Sequence, residues 1–279
     1  MRIRCYGARG SLAVSGPKVL KFGGDTTCLE IRLNSGERFI VDAGTGIRRL
    51  GRKLVQQRVR HHHILFTHLH WDHVIGFPVF PPLYQPHNTI RMTSGAYTPG
   101  KLKANFHKIM HPPGFPVSLK QVVADIRYEP MAAGGIRIGS ALIEPIALDH
   151  PQGGVGYKIT ENNRCFVLLT DNELESALLP PTMFDRYAAF CRNADLLLHD
   201  AQYTPEEYAH TRGWGHSSYT DAVRLAAAGG VKRLGLFHHD PDRSDAEIDA
   251  MVEAARGLIA DQGMVFDCFA VAQGDEFTV

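Results

Sequence analysis

Residues 64–73 read Ile-Leu-Phe-Thr-His-Leu-His-Trp-Asp-His, so an apolar run delivers His68, His70, Asp72 and His73 in close succession. Imidazole nitrogens and a carboxylate suit zinc, manganese or iron, and catalytic sites leave part of the coordination sphere open. In an extended segment, side chains two apart point the same way, so His68 and His70 can share one ion. Asp72 and His73 fall where the chain turns and can face a second ion. Two such ions about 3.5–4 Å apart can share a hydroxide, lower its pKa toward neutrality and clamp a phosphoryl oxygen.

These residues need a rigid frame, and the chain is long enough to build one. It has 279 residues, 30 basic against 29 acidic side chains and 44% hydrophobic residues, which excludes disorder. The near-zero net charge argues against binding nucleic acid through a general positive field. Neither a membrane-spanning apolar run nor the apolar core of a signal peptide is present. Cys5, Cys28, Cys165, Cys191 and Cys268 are scattered, with no C-x-x-C pair. That pattern suits a reducing cytoplasm and excludes a cysteine-ligated zinc of the usual spacing. Cytoplasmic localisation, no membrane partner and a homodimer as default assembly are the expectations.

Strands are expected at Arg2–Tyr6, Thr27–Leu33, Glu37–Val41, His62–Thr67, Thr89–Thr93, Ile136–Leu148, Val155–Thr160, Cys165–Thr170, Asp195–His199, Arg233–Phe237 and Val265–Ala270. Helices are expected at Gly46–Val55, Thr182–Arg192, Ser217–Ala228 and Asp245–Ala260, the last opened by a Ser244-Asp-Ala-Glu247 capping box. The segment Pro78–Pro116 carries eight prolines and reads as a long, partly irregular excursion. Its Phe80, Tyr84 and Phe115 are candidates to wall a pocket. The His61–His63 run leads into a strand. Residues 1–279 read as one domain.

The H-x-H-x-D-H run after a strand resembles the hallmark of the metallo-β-lactamase superfamily. That resemblance implies an α/β fold (α+β by some schemes), a four-layer αββα sandwich, and further motifs occur in order. Val41-Asp42-Ala-Gly-Thr-Gly46 is similar to the first motif, whose aspartate orients metal ligands. Leu148-Asp149-His150 resembles the motif supplying a third histidine, Leu168-Leu-Thr-Asp171 the one supplying a bridging aspartate, and Leu236-Phe-His238 the final histidine motif. The resemblance implies that His68, His70 and His150 hold one divalent ion, that Asp72, His73 and His238 hold another, and that Asp171 bridges them. Zinc comes first, with manganese and iron as alternatives, and His239 is the competitor of His238. Flavodiiron proteins carry glutamate at the position of His70, which sets this chain apart from them.

Leu198-His199-Asp200, followed by Gly215-His216-Ser-Ser218, resembles a pairing in ribonuclease Z and phosphoribosyl cyclic phosphodiesterases. An alkoxide leaving group needs a proton, and an imidazolium held by a carboxylate can give one. On that likeness His216 is the general acid, Asp200 its orienting partner, and Asp72 both ligand and catalytic group. Only about 20 residues separate His150 from Asp171, too few for the arm with which ribonuclease Z grips transfer RNA. The expected activity is therefore hydrolysis of a small phosphodiester, cyclic ones included, with nucleic acid not the main partner. The alternatives are a thiolester or lactone hydrolase using the same site, and a non-catalytic metal-binding domain. Gly7-Ala-Arg-Gly-Ser11 and Gly23-Gly-Asp-Thr-Thr27 also resemble segments of this branch but read equally as hairpin punctuation, and Arg9 is not counted as a site residue.

Overall fold

The computed structural model of the protein describes residues 1–175 and 182–279. The first sheet gathers β1 (Arg2–Gly7), β2 (Cys28–Arg32), β3 (Arg38–Val41), β4 (His61–Phe66), β5 (Thr89–Ser94) and β6 (Asp125–Pro130). The second gathers β7 (Ile136–Ile138), β8 (Ala141–Leu148), β9 (Gly154–Glu161), β10 (Arg164–Leu169), β11 (Leu196–Asp200), β12 (Arg233–Phe237) and β13 (Asp267–Ala270), and β14 (Glu276–Thr278) returns to the first. The orders are β14-β1-β2-β3-β4-β5-β6 and β13-β12-β11-β10-β9-β8-β7. Strands β3 to β6 run parallel, as do β10 to β13.

Sequence pattern explains the layering. In β1 the arginines at 2 and 4 face outward while Ile3 and Cys5 are fully buried, the alternation of a half-covered strand. In β10 and β11 the runs Cys165–Leu169 and Leu196–Leu198 are continuously apolar, because these stretches are covered on both faces. Leu29, Phe39 and Leu65 of the first sheet pack against Tyr157, Phe166 and Leu198 of the second. The outer face of the first sheet meets α1 (Ile47–Gln56) and, past the short α2 (Trp71–Val74), α3 (Pro99–Ile109), through Leu50, Leu54, Leu102 and Phe106. The outer face of the second meets α4 (Thr182–Phe190) and, beyond α5 (Pro205–Thr211), α6 (Tyr219–Gly229) and α7 (Asp245–Asp261), through Tyr187, Val223, Ala226 and Val252. The result is the αββα sandwich. Emptying one fully buried position, as in Phe166→Ala, costs roughly 3–5 kcal/mol in such a core.

Several boundaries differ from expectation for local reasons. Ile136–Leu148 is not one strand: the chain turns at Gly139, with φ of 52°, and folds back as the β7–β8 hairpin. Strand β6 escaped detection because only Ile126 and Tyr128, both partly covered, alternate with Asp125, Arg127 and Glu129, too short an apolar face to stand out. Helix α3 lies inside the proline-rich segment, where Pro99 takes the first helical position and the Thr98 hydroxyl accepts from Lys101 N–H at 3.3 Å. With β5 and two short 3₁₀ turns, α3 makes residues 78–116 mostly regular. Helix α5 starts with a Thr204/Glu207 capping box, α7 with the expected Ser244/Glu247 one. Among the described residues, no helix is long and apolar enough to cross a membrane.

Candidate active site

The C-terminal ends of β3, β4, β8, β10, β11 and β12 meet at one edge of the sandwich, where side chains leaving parallel strands converge. Asp42 follows β3, His68 and His70 follow β4, and Asp72 and His73 sit on α2. His150 follows β8, Asp171 follows β10, Asp200 ends β11 and His238 follows β12. Three of them have left-handed backbones, Asp42 with φ 60°, Asp171 with φ 55° and His238 with φ 61°. Such conformations cost about 1–3 kcal/mol each and mark places where the surroundings dictate side-chain direction.

The structure brings the seven expected ligands together in two groups. Donor atoms of His68, His70 and His150 lie within 4.8 Å of one another, and so do those of Asp72, His73, Asp171 and His238. Asp171 stands between the groups, with Oδ1 3.6 Å from His68 Nε2 and 3.2 Å from His238 Nε2, and Oδ2 3.2 Å from His73 Nε2. Asp72 Oδ2 lies 3.2 Å from His73 Nε2 and 3.1 Å from His238 Nε2. His238, not His239, faces the site. The Nε2 of His239 donates instead to the Val271 carbonyl at 2.9 Å, beneath Phe22.

Partners on the far side of each ring decide which nitrogen is offered. His73 Nδ1 donates to Asp42 at 2.8 Å, His150 Nδ1 to the Gly215 carbonyl at 3.0 Å and His238 Nδ1 to Gln202 Oε1 at 3.0 Å. The Thr67 hydroxyl donates to Asp42 at 2.7 Å, so His68 Nδ1 donates to Thr67 Oγ1 at 3.1 Å. In each of these four rings Nε2 is therefore the nitrogen turned inward. His70 is reversed: its Nε2 donates to Gln152 Oε1 at 2.6 Å, leaving Nδ1 2.9 Å from His150 Nε2. Such partners orient ligand rings and raise their basicity.

The fit to divalent cations follows. Two imidazole lone pairs facing each other at 2.9 Å are repulsive without a positive charge between them. The buried Nε2 atoms of His68 and His73 have no hydrogen-bond partner. Burial, then the neighbouring His73, pushes His68 well below the usual histidine range, and burial drives His150 down to about 4, leaving both neutral and able to ligate. Burial opposes ionisation of Asp72 and Asp171, yet His73 and His238 hold both carboxylates well below their usual range.

Beside this cluster, His216 Nδ1 lies 2.7 Å from Asp200 Oδ2. Its ring stacks on His238 at 5.0 Å and meets His150 edge-on at 5.2 Å. Burial alone would lower His216, but Asp200 holds it up at about 9, so the ring carries a proton near neutrality. Asp200 is itself locked, accepting from the N–H groups of Ser217 at 3.1 Å, Gln202 at 3.2 Å and Asp171 at 3.2 Å.

Sequence reasoning missed Gln202, Thr67, Gln152 and the Gly215 carbonyl, none of which carries a motif signal. It also undervalued Gly7–Ser11. Ser11 N–H donates to Asp72 Oδ2 at 2.8 Å, and a Cβ at Gly10 would lie 2.4 Å from His238 Nδ1. Fully buried Arg9 does not approach a substrate: it donates to the carbonyls of Gly23, Asp240 and Arg243 at 3.1, 2.8 and 2.8 Å and so ties down the loop after His238. The aromatics of the proline-rich segment do not reach the site. Phe80 is buried against His62, Phe115 packs in the core outside the first sheet and the Tyr84 hydroxyl donates to Pro78 O. From that segment it is Tyr97 that comes near, donating to the Gly153 carbonyl at 3.4 Å.

Known proteins resemble this chain in sequence and in fold. Residues 37–239 match the family model described as a beta-lactamase superfamily domain. The chain is 23% identical over 245 residues to a ribonuclease Z of Thermoplasma acidophilum, covering 69% of this chain and 73% of that one. Among solved structures, the metallo-beta-lactamase fold protein YhfI from Bacillus subtilis superposes with a TM-score of 0.72 at 14% identity, over 99% of this chain and 98% of that one. A diphosphatase from the PhnP family superposes with a TM-score of 0.66 at 15% identity, over 100% and 97% of the two chains. With that match spanning most of its length, the chain belongs to the β-lactamase superfamily domain family and is a metal-dependent hydrolase.

Proposed function

We propose that the protein is a phosphodiesterase acting on a small phosphodiester, cyclic ones included, with His216 as general acid. The observation that carries this reading is the 2.7 Å pair of His216 Nδ1 with Asp200, seated against His150 and His238. A thiolate leaves without help at neutral pH, whereas an alkoxide needs a proton as its bond to phosphorus breaks. A protonated ring beside the ligand cluster answers that need.

The residues that would hold two divalent cations are His68, His70 and His150 for one, and Asp72, His73 and His238 for the other, with Asp171 between. Zinc suits this donor set best, and manganese and iron are compatible. When bound, such ions activate a water and draw charge off the phosphoryl oxygens. The chain's own residues do the rest. Asp200 occupies Nδ1 of His216, so the opposite nitrogen, Nε2, is the one free to protonate the departing oxygen. The Asp200 carboxylate keeps that proton on the ring until it is needed. Gln202 and the Gly215 carbonyl hold His238 and His150 fixed while charge rearranges.

Relatives named ribonuclease Z and a fold neighbour named a diphosphatase support phosphoester chemistry. The ribonuclease Z likeness favours a second reading, an RNA substrate, against which stands the net charge of +1. We read residues 1–279 as one hydrolase domain, since β14 pairs with β1 and both sheets share one core. Five free thiols support a reducing, cytoplasmic setting.

The test is a screen of metal-loaded protein against bis-p-nitrophenyl phosphate, a 2′,3′-cyclic nucleotide, an RNA oligonucleotide and an acyl thiolester. Chelator-sensitive turnover of the small diesters is expected. Thiolester hydrolysis with no diester hydrolysis overturns the reading, and RNA cleavage without small-diester cleavage selects the second.

A further inference from the structure

We propose that the cavity beside His216 is the leaving-group subsite, and that it takes a planar, phosphate-free group of nucleoside type stacked on Trp214. The assignment rests on the phosphodiesterase reading above and names the substrate class for it. A leaving group departs next to its proton donor, so it must sit on the His216 side of the site.

That side holds a cavity of about 560 Å³, lined by His216, Ser11 and Trp214 among others. The size falls among small-molecule sites, which span about 300–1,000 Å³. The chain has two tryptophans. Both are more than half exposed, Trp71 at 56% beside His70 and Asp72, and Trp214 at 62% two residues before His216. An indole left in water forgoes the burial its size would otherwise gain, and a stacking role explains the exposure.

Trp214 is also presented rigidly. Its flanking residues Gly213 and Gly215 have φ of 84° and 88°, a backbone that side-chain-bearing residues avoid. Buried Glu173 accepts the N–H of Gly213 at 2.8 Å and of Gly215 at 2.9 Å, and accepts the Tyr208 hydroxyl at 2.8 Å. A buried carboxylate thus fixes the turn that carries the indole, and the same turn places the Gly215 carbonyl on His150.

The remaining wall selects by charge. Glu207, Asp240, Asp242 and Glu247 line the cavity with Arg243 and His216, so four carboxylates against a guanidinium and a protonated ring leave two net negative charges. Glu207 already pairs with Arg243. Such a wall repels a second phosphate and offers acceptors to the amine and hydroxyl donors of a nucleoside. It therefore disfavours a leaving group that continues as a polynucleotide.

The test uses zinc-loaded, full-length protein carrying Trp71→Phe, so that emission reports Trp214 alone. Adenosine is expected to change that emission saturably, and adenosine 3′,5′-bisphosphate to bind at least tenfold more weakly. Asp242→Asn with Glu247→Gln should narrow the gap to under threefold, and Trp214→Ala should weaken adenosine binding at least tenfold by calorimetry. Equal affinities for the two ligands, or no saturable response to adenosine, overturn the subsite. Turnover of bis-p-nitrophenyl phosphate is measured on the same preparation. Diester turnover with no adenosine response overturns the subsite and leaves the phosphodiesterase reading standing. Adenosine binding with thiolester turnover only overturns the leaving-group role and that reading together.

Discussion

His70 Nδ1 and His150 Nε2 face each other at 2.9 Å, while the other nitrogen of each ring already donates, to Gln152 and to the Gly215 carbonyl. Neither ring has a proton to place between them unless it becomes charged. Burial keeps His150 at about 4, so protonation is a poor solution near neutrality, and a cation is the better one.

Metal removal therefore lowers stability. A ligand at 100 times its Kd adds about 2.7 kcal/mol to the folded state. In a chain of this size each kcal/mol moves Tm by roughly 2–4 °C. Chelation should lower Tm by roughly 5–10 °C in scanning fluorimetry, and restoring zinc should reverse it. An unchanged Tm would show that no cation occupies the facing histidines.

The choice between neighbouring histidines is open to direct measurement. His238→Ala should lose close to one equivalent of metal per chain. His239→Ala should keep its metal and lose about 1–3 kcal/mol of stability, because the Val271 carbonyl is left without its donor. Metal analysis beside urea denaturation separates the two.

Gly10 makes a related prediction. An alanine there would place its Cβ 2.4 Å from His238 Nδ1, so the ring must swing away from Asp72 and Gln202. Gly10→Ala should retain its circular dichroism spectrum while metal content falls as in His238→Ala.

How much of this was legible depended on whether the signal was local. His68, His70, Asp72 and His73 share one short run, where a period of two and an abrupt turn announce a metal site. His150, Asp171 and His238 each follow an apolar strand, and their order along the chain made them visible through the superfamily resemblance. Thr67, Gln152 and Gln202 are polar residues of a kind common on any surface, and only the folded geometry places them behind histidine rings. The left-handed backbone at Asp42, Asp171 and His238 is nearly as silent, since aspartate and histidine enter that region more often than other side chains yet still only in a small minority of cases. In the fold, apolar strands such as β10 and β11 were plain. Short β6, with two partly covered apolar side chains, and proline-started α3 were hidden, because pairing with β5 and a Thr98 cap define them more than a long apolar period does.

Acid should destabilise the protein through groups far from the site. Asp195 joins β10 and β12, accepting from Lys232 at 2.8 Å, Cys165 N–H at 2.9 Å and Arg164 at 3.0 Å. Burial opposes its charge, but Lys232 and the Cys165 N–H hold its carboxyl below the usual 3.8. Its stabilisation is thus full above that value and lost as pH falls through the lower folded-state value. Buried His62 and half-buried His63 stay neutral down to about 4 against 6.5 when unfolded, so unfolding takes up protons below 6.5. Wild-type stability should fall from pH 6.5 toward 4. Asp195→Asn should cost about 1–3 kcal/mol at pH 7, and the difference should shrink below the ordinary carboxylate range. Urea titrations across pH measure both, and a gap that widens in acid would contradict the assignment.

Asp200→Asn tests how His216 is held. The amide preserves the size of the group but removes the charge that keeps the ring protonated. The expected outcome is a fall in kcat of roughly 10²-fold, within the range of general acid catalysis, with KM and metal content little changed. A loss of metal instead would make Asp200 a structural support of His238, 3.5 Å away.

The most direct measurement is the dependence of kcat/KM on leaving-group pKa for a series of aryl and alkyl phosphodiesters, in wild type and in metal-loaded His216→Ala. If His216 protonates the departing oxygen, the variant should match wild type within a fewfold on p-nitrophenyl esters and fall behind by roughly 10²–10⁴ on alkyl esters. Parallel dependences in the two proteins would contradict the account, because the ring would then contribute nothing to breaking the phosphorus–oxygen bond.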